Sequence, residues 1–310
     1  MKLLDYYQNK LNNMIKEDEF NFIKKYLSLN IMKRLKEITY LCGMEYASND
    51  IYSFKEEISR YDHSLNVAML TWIFSKDKKS TLAALFHDIS TPCFSHVIDY
   101  MNKDYEKQDS TEEYTEKILK SDSNLKELLY NDCIDIDDVV NFKKYSIVDT
   151  VRPKLCADRI DGIILTGMSW SGEVDKSIID IIIDNMDVYI NEDGEKEIGF
   201  NNKNSALTSL RINDGINKLC QSKSDYYMMQ LLADIIKKAI ERKCISYDDL
   251  YLYGEEYILR KLDTISDSEF RFKLFEFYNI HNNDIPDIEI PKLKVRSIRP
   301  LVDGKRIWCI

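Results

Sequence analysis

The sequence is poor in glycine, proline and histidine. Its 310 residues include only nine glycines, five prolines and four histidines. A chain with so few turn-forming residues favours long helices over a β-rich fold. Because 44% of the residues are apolar, a chain of this length can still bury a sizeable core.

The sequence also lacks paired cysteines and long apolar runs. Its scattered cysteines, odd in number and without a CxxC pair, favour free thiols in a cytosolic protein. The N-terminal stretch MKLLDYYQNKLNNM turns polar too early for a signal peptide. No run of about 18 apolar residues predicts a transmembrane helix. We therefore expect a cytoplasmic protein without a membrane partner. The cysteines are Cys42, Cys93, Cys133, Cys156, Cys220, Cys244 and Cys309.

The net charge of the chain excludes some classes of ligand. The formal net charge is -10. An acidic chain repels a phosphate backbone, and we therefore expect no nucleic-acid polymer as a partner. A small phosphorylated substrate remains compatible with this charge, because a few cations and a metal ion can dominate one pocket.

Hydrophobic periodicity predicts helices through most of the first half of the chain. We expect one amphipathic helix over residues 16–38 and a second, buried on all sides, that follows His63. A third helix should be capped by Ser80 or Thr81, and Pro92 then disfavours further helix. These spacings indicate a helical core.

The later part of the chain adds helices and turns. Ser110 begins a capping-box pattern, which predicts a helix start, and Gly167 is expected to stop the helix of the segment KLCADRIDGIILTG. Helical periodicity returns from about 205 to 280. Asp-Gly turns at 193–194 and 303–304 predict two pairs of short strands.

The fold class that these patterns indicate is all-α, with a helical core, additional C-terminal helices and small β-hairpins. We expect residues 1–167 to hold the N-terminal helices and the core. Residues 168–310 should form a mainly helical region with small β-hairpins, packed on the core as one domain.

Four side chains from distant parts of the chain are candidate metal ligands. His63 precedes one predicted helix, His87 and Asp88 end a second, and Asp158 lies on a third. Imidazole and carboxylate groups that converge from separate helices suit a divalent ion with open positions for water and substrate. Taken singly, a His-Asp dipeptide is more typical of a helix terminus, and a lone aspartate of a capping or surface group.

Four short stretches occur in order: RYDHSLNVA (60–68), LAALFHD (82–88), FSH (94–96) and ADRIDGI (157–163). Together they resemble the HD-domain phosphohydrolase superfamily, whose pattern is H…HD…D. The nearest branch is that of the deoxynucleoside-triphosphate triphosphohydrolases, and the resemblance covers about Cys42 to Gly167.

The resemblance implies an all-helical HD-domain core that binds one divalent ion. The ligands that it implies are His63, His87, Asp88 and Asp158. Mn, Fe, Mg, Ni and Zn are all compatible with such a site. Because the similar triphosphohydrolases are commonly oligomeric, the resemblance also implies a possible homo-oligomer.

The sequence departs from that branch at groups that contact the triphosphate and sugar. Thr91 stands in place of a histidine, and Gln108 with Asp109 in place of a His-Glu pair. Gly162 and Thr166 stand where the branch carries a tyrosine and an aspartate. Because acid-base help is worth about 10²–10⁴-fold, the departures put triphosphate removal in doubt while the metal pattern is kept.

Three residues are candidates for catalysis: Asp88, His96 and Arg60. His96 matches the histidine of the FSH stretch and could hydrogen-bond a phosphoryl or leaving-group oxygen; the alternative is a structural histidine in the loop after Pro92. Arg60 lies on the face of His63 and could grip a phosphate through two hydrogen bonds. Its alternative is a surface salt bridge with Glu56 or Glu57.

Two further features allow two interpretations each. Asp161 either orients a metal ligand or forms a salt bridge with Arg159 or Lys154. The segment SKSDYYMMQ (222–230) could place aromatic rings beside a base, although aromatic and Met residues at helical spacing are more typical of a core.

The sequence therefore predicts a metal-dependent phosphohydrolase that acts on a small phosphate ester, with a nucleotide as the preferred substrate. The alternative is a non-catalytic metal- and nucleotide-binding protein with a regulatory or sensing role, which the substituted Thr91 and Gln108 favour. A helical interaction protein with an incidental His/Asp cluster is the third hypothesis, and the ordered motifs argue against it.

Overall fold

In the computed structural model, the described residues are 2–16, 18–108 and 110–307; Asp109 and Cys309 lie outside them. The chain is mostly helical, which confirms the helical core, and a small sheet is added to it. The α-helices are α1 (Leu3–Met14), α2 (Lys24–Leu27), α3 (Asn30–Arg34), α4 (Arg60–Ser75), α5 (Lys78–Phe86), α6 (Val97–Met101), α7 (Thr115–Ser121), α8 (Ser123–Asn131), α9 (Ile136–Val140), α10 (Ala157–Thr166), α11 (Lys176–Ile183), α12 (Lys203–Cys220), α13 (Lys223–Glu241), α14 (Asp249–Leu252), α15 (Glu255–Asp263) and α16 (Ser268–Asn279).

Helix α4 is the centre of the molecule. Its start is fixed by a capping box in which Ser59 and Asp62 satisfy each other's backbone N–H groups. Ten of its residues, five of them apolar, are buried, which confirms the expectation of a helix covered on nearly all sides. It packs against α5 on one side and α10 on the other. These three helices carry the candidate ligands.

Helix α5 has a different cap from the expected one. The Asp77 side chain accepts a hydrogen bond from the backbone N–H of Ser80 at 2.8 Å. Ser80 and Thr81 are both buried inside the helix, and their hydroxyls donate to the Asp77 carbonyl oxygen. The prediction of a Ser80 or Thr81 cap was therefore wrong, because the aspartate directly upstream provides a stronger acceptor for the free N–H groups.

The single helix expected over residues 16–38 is broken. A 3₁₀ turn (Asn21–Ile23) precedes α2, and a second 3₁₀ turn (Leu35–Glu37) follows α3. Leu29 between the two helices is extended, with ψ 144°. The interruption still buries Ile23, Tyr26, Met32 and Leu35 against the core, so burial of apolar side chains takes precedence over helical continuity.

The helix expected from Ser110 starts later. Residues Ser110–Glu112 form a 3₁₀ turn, and α7 begins at Thr115 without a side-chain cap. The Ser110 hydroxyl accepts a hydrogen bond from Asn102 at 3.2 Å, and its backbone N–H donates to Asp99. The capping-box interpretation was therefore wrong at this position.

Gly167 does not stop the helical path after α10. Residues Gly167–Ser171 continue it with π-helical hydrogen bonding, and Gly172, with φ 67°, ends the turn. A side chain at Gly167 would collide with Val174, so this glycine permits close packing. Insertions of π-helix are frequent at functional sites, and here the insertion carries Trp170.

The four strands form one sheet, in the order β1 (Met186–Ile190), β2 (Lys196–Phe200), β3 (Leu301–Val302) and β4 (Lys305–Arg306). Both expected Asp-Gly hairpins are confirmed, as the antiparallel pairs β1–β2 and β3–β4. A parallel contact between Phe200 and Val302 joins them. The extended chain after α16 thereby returns across the molecule.

Two clusters of buried apolar side chains support the site. The first surrounds α4, α5 and α10, and the second surrounds α6, α13 and α16. The loop after α5 lies at the second cluster, where the Cys93 N–H donates to the Leu250 carbonyl oxygen at 2.7 Å. No helix of the described residues has the length and apolarity needed to cross a membrane.

Candidate metal and substrate site

The four candidate ligands lie together between α4, the end of α5 and the first turn of α10. His63 Nε2 lies 3.1 Å from Asp158 Oδ1 and 3.7 Å from Asp88 Oδ2. His87 Nε2 lies 3.6 Å from Asp158 Oδ1 and 3.7 Å from Asp88 Oδ1. Both imidazoles therefore present the same nitrogen to the same two carboxylates.

A partner on the opposite nitrogen fixes each imidazole. His63 Nδ1 lies 2.7 Å from Asp161 Oδ2, and His87 Nδ1 lies 2.7 Å from the Ala84 carbonyl oxygen. A carbonyl oxygen only accepts, so His87 donates from Nδ1. Such partners orient metal-binding histidines and present Nε2 to the ion.

The residues present fit a divalent cation. His87 Nε2 is buried and has no hydrogen-bond partner among the described residues. With its Nδ1 committed to Ala84, this nitrogen directs a lone pair towards two carboxylates, an arrangement that only a proton or a metal ion stabilises. Two nitrogen and two oxygen donors are typical of Mn, Fe, Ni or Zn sites.

The charges of the site favour ionised carboxylates. Burial raises the pKa of Asp88, but His87 and Arg60 outweigh it and hold the value at about 2. Burial likewise raises the pKa of Asp158, yet the hydrogen bond with His63 and the proximity of His87 bring it well below the usual range. Burial lowers the pKa of His63, while Asp158 and Asp161 raise it to about 10.

Arg60 is buried and is held by three neighbours. Its guanidinium donates to Asp88 Oδ2 at 2.9 Å, to Ser95 Oγ at 3.1 Å and to the Tyr40 carbonyl oxygen at 3.2 Å. The interpretation as a surface salt bridge with Glu56 or Glu57 was therefore wrong. Arg60 also lines the cavity, where it fixes the Asp88 carboxylate; its direct grip on a phosphate stays a prediction.

Asp161 contacts His63 and is fully buried. Arg159 instead pairs with Asp149, and Lys154 pairs with Asp193 and Glu195. The geometry thus favours the orienting interpretation of Asp161 over the salt-bridge one.

His96 reaches the cavity from a backbone that few residues adopt. Phe94 and Ser95 have φ 64° and 48°, a left-handed conformation that costs about 1–3 kcal/mol and persists where the surroundings demand it. Here the Phe94 N–H donates to Glu255 at 2.8 Å, and Ser95 contacts Arg60. The strained turn therefore carries His96 into the cavity.

One ring nitrogen of His96 is already committed. His96 Nδ1 lies 2.8 Å from Oδ2 of the fully buried Asp99. Burial lowers the pKa of His96 and outweighs the opposite effect of Asp99, and the cations of Arg60 and Arg296 lower it further. His96 is therefore neutral near pH 7, and Nε2 is the nitrogen that remains for a ligand.

The residues that depart from the triphosphohydrolase pattern have defined places. Thr91 is buried outside the cavity wall, and its carbonyl oxygen accepts from Arg34 at 3.0 Å. Gln108 lines the cavity, where its Oε1 accepts from Arg296 at 2.7 Å. At Gly162, a side chain would approach the Tyr40 hydroxyl to 3.3 Å, so the glycine leaves room for a tyrosine from another segment.

A cavity of about 590 Å³ opens beside the four ligands. This volume suits a small molecule of nucleotide size. The ligand cluster, His96 and Arg60 line one part of the cavity, which we call the metal end. The aromatic residues Tyr52, Phe54, Tyr100 and Trp170 line another part, which we call the aromatic end.

Arginines also line the cavity, although the whole chain is acidic. Arg152 and Arg296 both face it and form no ion pair with a described residue. Burial lowers the pKa of Arg152 to about 10, with further lowering by Arg159 and Arg296. Guanidinium groups without carboxylate partners are suited to bind phosphate.

Sequence reasoning missed Tyr40, Asp225 and Arg296 as cavity residues. Asp225 lies in the first turn of α13, where Ser222 accepts its N–H, so in the sequence it resembles an ordinary helix-start carboxylate. Arg296 comes from the extended segment after α16. Neither Asp225 nor Arg296 belongs to a sequence motif that could have identified it as a cavity residue.

A second group of possible ligands adjoins the first: Asp149, Cys156 and Asp158. Asp149 already accepts from Arg159 at 3.2 Å and from the Thr150 N–H at 2.7 Å. A guanidinium at this position opposes a second cation, so we assign no metal to this group.

Comparison with known proteins gives one family match. The model of the HD domain family matches residues 60–192. The uncharacterized protein YdhJ of Bacillus subtilis (strain 168) is 29% identical over 134 residues. That stretch is 42% of this chain and spans 38% of the length of this curated relative.

Two solved structures share the fold. A hypothetical protein from Aquifex aeolicus aligns with a TM-score of 0.54 at 16% identity and covers 85% of this chain and 72% of its own. A phosphohydrolase from Bacteroides thetaiotaomicron VPI-5482 aligns with a TM-score of 0.52 at 13% identity and covers 85% and 76%. At these identities the likeness concerns the fold alone, and the triphosphohydrolase branch stays a prediction.

Proposed function

This chain is an HD-domain protein, and from that premise we propose that it is a metal-dependent phosphohydrolase. Its substrate would be a small phosphate ester, with a nucleotide as the preferred class. The residues that would hold the metal are His63, His87, Asp88 and Asp158.

The observation that carries the proposal is the buried, unpartnered Nε2 of His87. It lies between two carboxylates whose pKa values are depressed, while the other ring nitrogen is fixed by the Ala84 carbonyl. A site that only stabilised the fold would pair this nitrogen with a donor, because unsatisfied buried polar atoms cost about 1–3 kcal/mol.

The protein's own groups supply orientation and charge. A divalent cation, when bound, acts as a Lewis acid on a phosphoryl oxygen and makes a nearby water more acidic. Arg60 holds Asp88 in place, and Asp161 does the same for His63. Neutral His96, with Nδ1 held by Asp99, is suited to exchange a proton with the attacking or leaving oxygen through Nε2.

Two features support a phosphorylated, nucleotide-sized substrate. Arg152 and Arg296 supply cationic groups on the cavity wall that form no ion pair with a described residue. The cavity of about 590 Å³ extends beyond the ligands to aromatic walls that suit a flat ring. Inorganic phosphate alone would leave most of this space unfilled.

A non-catalytic metal- and nucleotide-binding protein is the second candidate. It is favoured by Gln108, which stands in place of a proton-transferring histidine and is occupied in positioning Arg296. The presence of His96 in the cavity favours catalysis instead.

The two candidates are separated by measuring metal content and turnover on the same sample. The full chain is reloaded with Mn²⁺, Mg²⁺, Co²⁺, Ni²⁺ or Zn²⁺, and release of phosphate, pyrophosphate or triphosphate is followed from mono-, di-, tri- and cyclic nucleotides. Turnover should vanish in Asp88→Asn and persist in Asp138→Asn, a surface carboxylate paired with Lys79 and Lys144.

Two outcomes would count against catalysis. One bound metal per chain without turnover on any substrate would support the binding protein. A protein that takes up none of these ions, with His63 and His87 intact, would reject both candidates.

A further inference from the structure

The aromatic end of the cavity has a continuous wall of rings. The ring centroids of Tyr52 and Phe54 lie 5.3 Å apart with nearly parallel planes, and Trp170 lies 5.9 Å and 6.2 Å from them. Tyr52 is buried, while Phe54 and Trp170 are partly exposed to the cavity. Such a wall presents flat faces to a ligand ring.

A buried carboxylate lies at this aromatic end. Asp225 lines the cavity and is only 8% exposed. The Tyr52 hydroxyl donates to its Oδ1 at 2.8 Å. Within the described residues no other group donates to this carboxylate, and it forms no ion pair.

An acceptor in this position calls for a donor from a ligand. A buried carboxylate that lacks donors is unfavourable by several kcal/mol in general. Its two oxygens have about four lone-pair sites, so Oδ1 can accept a further hydrogen bond beside that from Tyr52. A ligand that offers two adjacent N–H groups would match both oxygens at once.

The ligand group is better neutral than cationic. Arg296 faces the same cavity, with its guanidinium oriented by Gln108 and its backbone N–H donated to Asn217. Among the causes that act on the pKa of Asp225, Arg296 is the nearby positive charge. A ligand that brought a second full positive charge, such as an ammonium group, would be repelled by this guanidinium.

Resting on the proposed function, we propose that this end of the cavity binds a neutral, flat heterocyclic base with two adjacent N–H donors, a guanine-type edge. Asp225 is the residue that accepts both hydrogen bonds, and Tyr52, Phe54 and Trp170 supply the stacking face. Adenine offers one N–H group beside a ring acceptor, so one carboxylate oxygen would then face a lone pair. Specificity of this kind arises because a mismatched base leaves a buried group unpaired.

The test uses nucleosides, which lack phosphate, so that binding reports on the aromatic end apart from the metal chemistry. Guanosine, 1-methylguanosine, inosine and adenosine are titrated into the full chain by calorimetry, together with choline as a cationic probe. The titrations are made at pH 8, because burial raises the pKa of Asp225 to about 7 against the opposing effect of Tyr52 and Arg296, and the carboxylate must be ionised.

Guanosine should bind at least about tenfold more tightly than the other three nucleosides, because each lacks one of the two N–H donors to a charged acceptor. In Asp225→Asn the preference should fall to within about twofold. Asp180→Asn is the matched control, since Tyr6 donates to Asp180 at 2.8 Å in the same kind of pair away from the cavity. This control should keep the preference.

The ligand series on the unmodified protein keeps the test valid even where Asp225→Asn fails to fold. Equal affinities for the four nucleosides, no binding at millimolar concentration, or tighter binding of choline than of guanosine would each overturn the proposal. A clear guanosine preference in a protein without turnover would leave it standing while the phosphohydrolase function failed.

Discussion

The two ends of the cavity differ in how they are built. At the metal end, the four candidate ligands come from α4, α10 and the two residues that follow α5, and both α5 and α10 pack against α4. At the aromatic end, the lining comes from the loop before α4, the π-helical turn after α10 and the start of α13. Only the metal end has a motif in the sequence.

The unsatisfied atoms at the two ends also differ in kind. At the metal end the buried nitrogen of His87 faces carboxylates and calls for a cation. At the aromatic end the carboxylate of Asp225 has one donor among the described residues, Tyr52, and can accept further N–H groups. The comparison teaches that the polar atoms left without partners describe the ligand better than the residue types do.

The largest effect is expected from the two histidines of the metal end. His63→Ala and His87→Ala each remove a nitrogen ligand, so metal content should fall from one ion per chain to nearly none. In thermal unfolding, metal at 100 times the Kd should stabilise the wild type by about 2.7 kcal/mol and leave both variants unchanged.

His281→Ala is the matched control, because His281 is exposed and its ring lies beside Asp50, at 3.7 Å. It should respond to metal like the wild type. A His87→Ala protein that still bound one ion tightly would refute the assigned ligand set.

The ligand cluster was accessible from the sequence because its chemistry requires particular residue types. Histidine is rare in this chain, so three of four histidines between residues 63 and 96 form a visible signal. The ordered stretches around these histidines also limited the number of helix arrangements that could bring the ligands together. The spacing could not predict the hydrogen-bond or ion-pair partner of each side chain.

Arg60 shows this limit. Its spacing from His63 was correct, but local reasoning offered Glu56 and Glu57 as partners, whereas the fold places Asp88 beside it. Asp225 shows the limit more strongly, because every local feature fits a helix start. Its role as a cavity carboxylate depends on Tyr52, which is 173 residues away in the sequence.

Helix existence was predicted better than helix continuity. Helices α4, α12 and α13 follow their apolar periodicity, whereas residues 16–38 break at Leu29 because several short pieces wrap around the core. Tertiary burial decided this case, and single-segment periodicity does not describe it.

Within the metal end, the next largest effect is expected for His96. His96→Gln should lower kcat by about 10²–10⁴-fold, because glutamine cannot exchange a proton. Metal content should stay at the wild-type level, since the Nδ1 of His96 contacts Asp99 and not the ligand cluster. A kcat within threefold of the wild type would assign His96 a structural role in its loop.

A smaller effect is expected for the residue behind His63. Asp161→Asn keeps the shape but removes the negative charge that fixes Nδ1 of His63. Loss of such a partner typically costs about 10–100-fold in metal affinity, which a competition titration with a chromophoric chelator measures. Asp62→Asn, in the same region but engaged in the capping box of α4, should change affinity much less.

The pH dependence of metal binding follows from the charge of His63. Burial lowers its pKa, but Asp158 and Asp161 raise it to about 10, so the metal-free protein carries a proton there at pH 7. The metal must displace this proton. Affinity should therefore rise about tenfold per pH unit from pH 6 upwards, and level off near pH 10. An affinity independent of pH between 6 and 9 would contradict the assignment of His63 as a ligand.

The smallest effect should come from Gln108, on the cavity wall. Gln108 should act on the substrate mainly through Arg296. Its Oε1 accepts a hydrogen bond of 2.7 Å from the Arg296 guanidinium. Gln108→Ala should therefore raise KM about fivefold, equivalent to about 1 kcal/mol for one lost orienting hydrogen bond, with little change in kcat. Gln230→Ala, whose side chain bonds Tyr105 and Asp234 away from the cavity wall, is the matched control. If kcat fell while KM stayed constant, Gln108 would belong to the proton chemistry of the metal end and not to phosphate binding by Arg296.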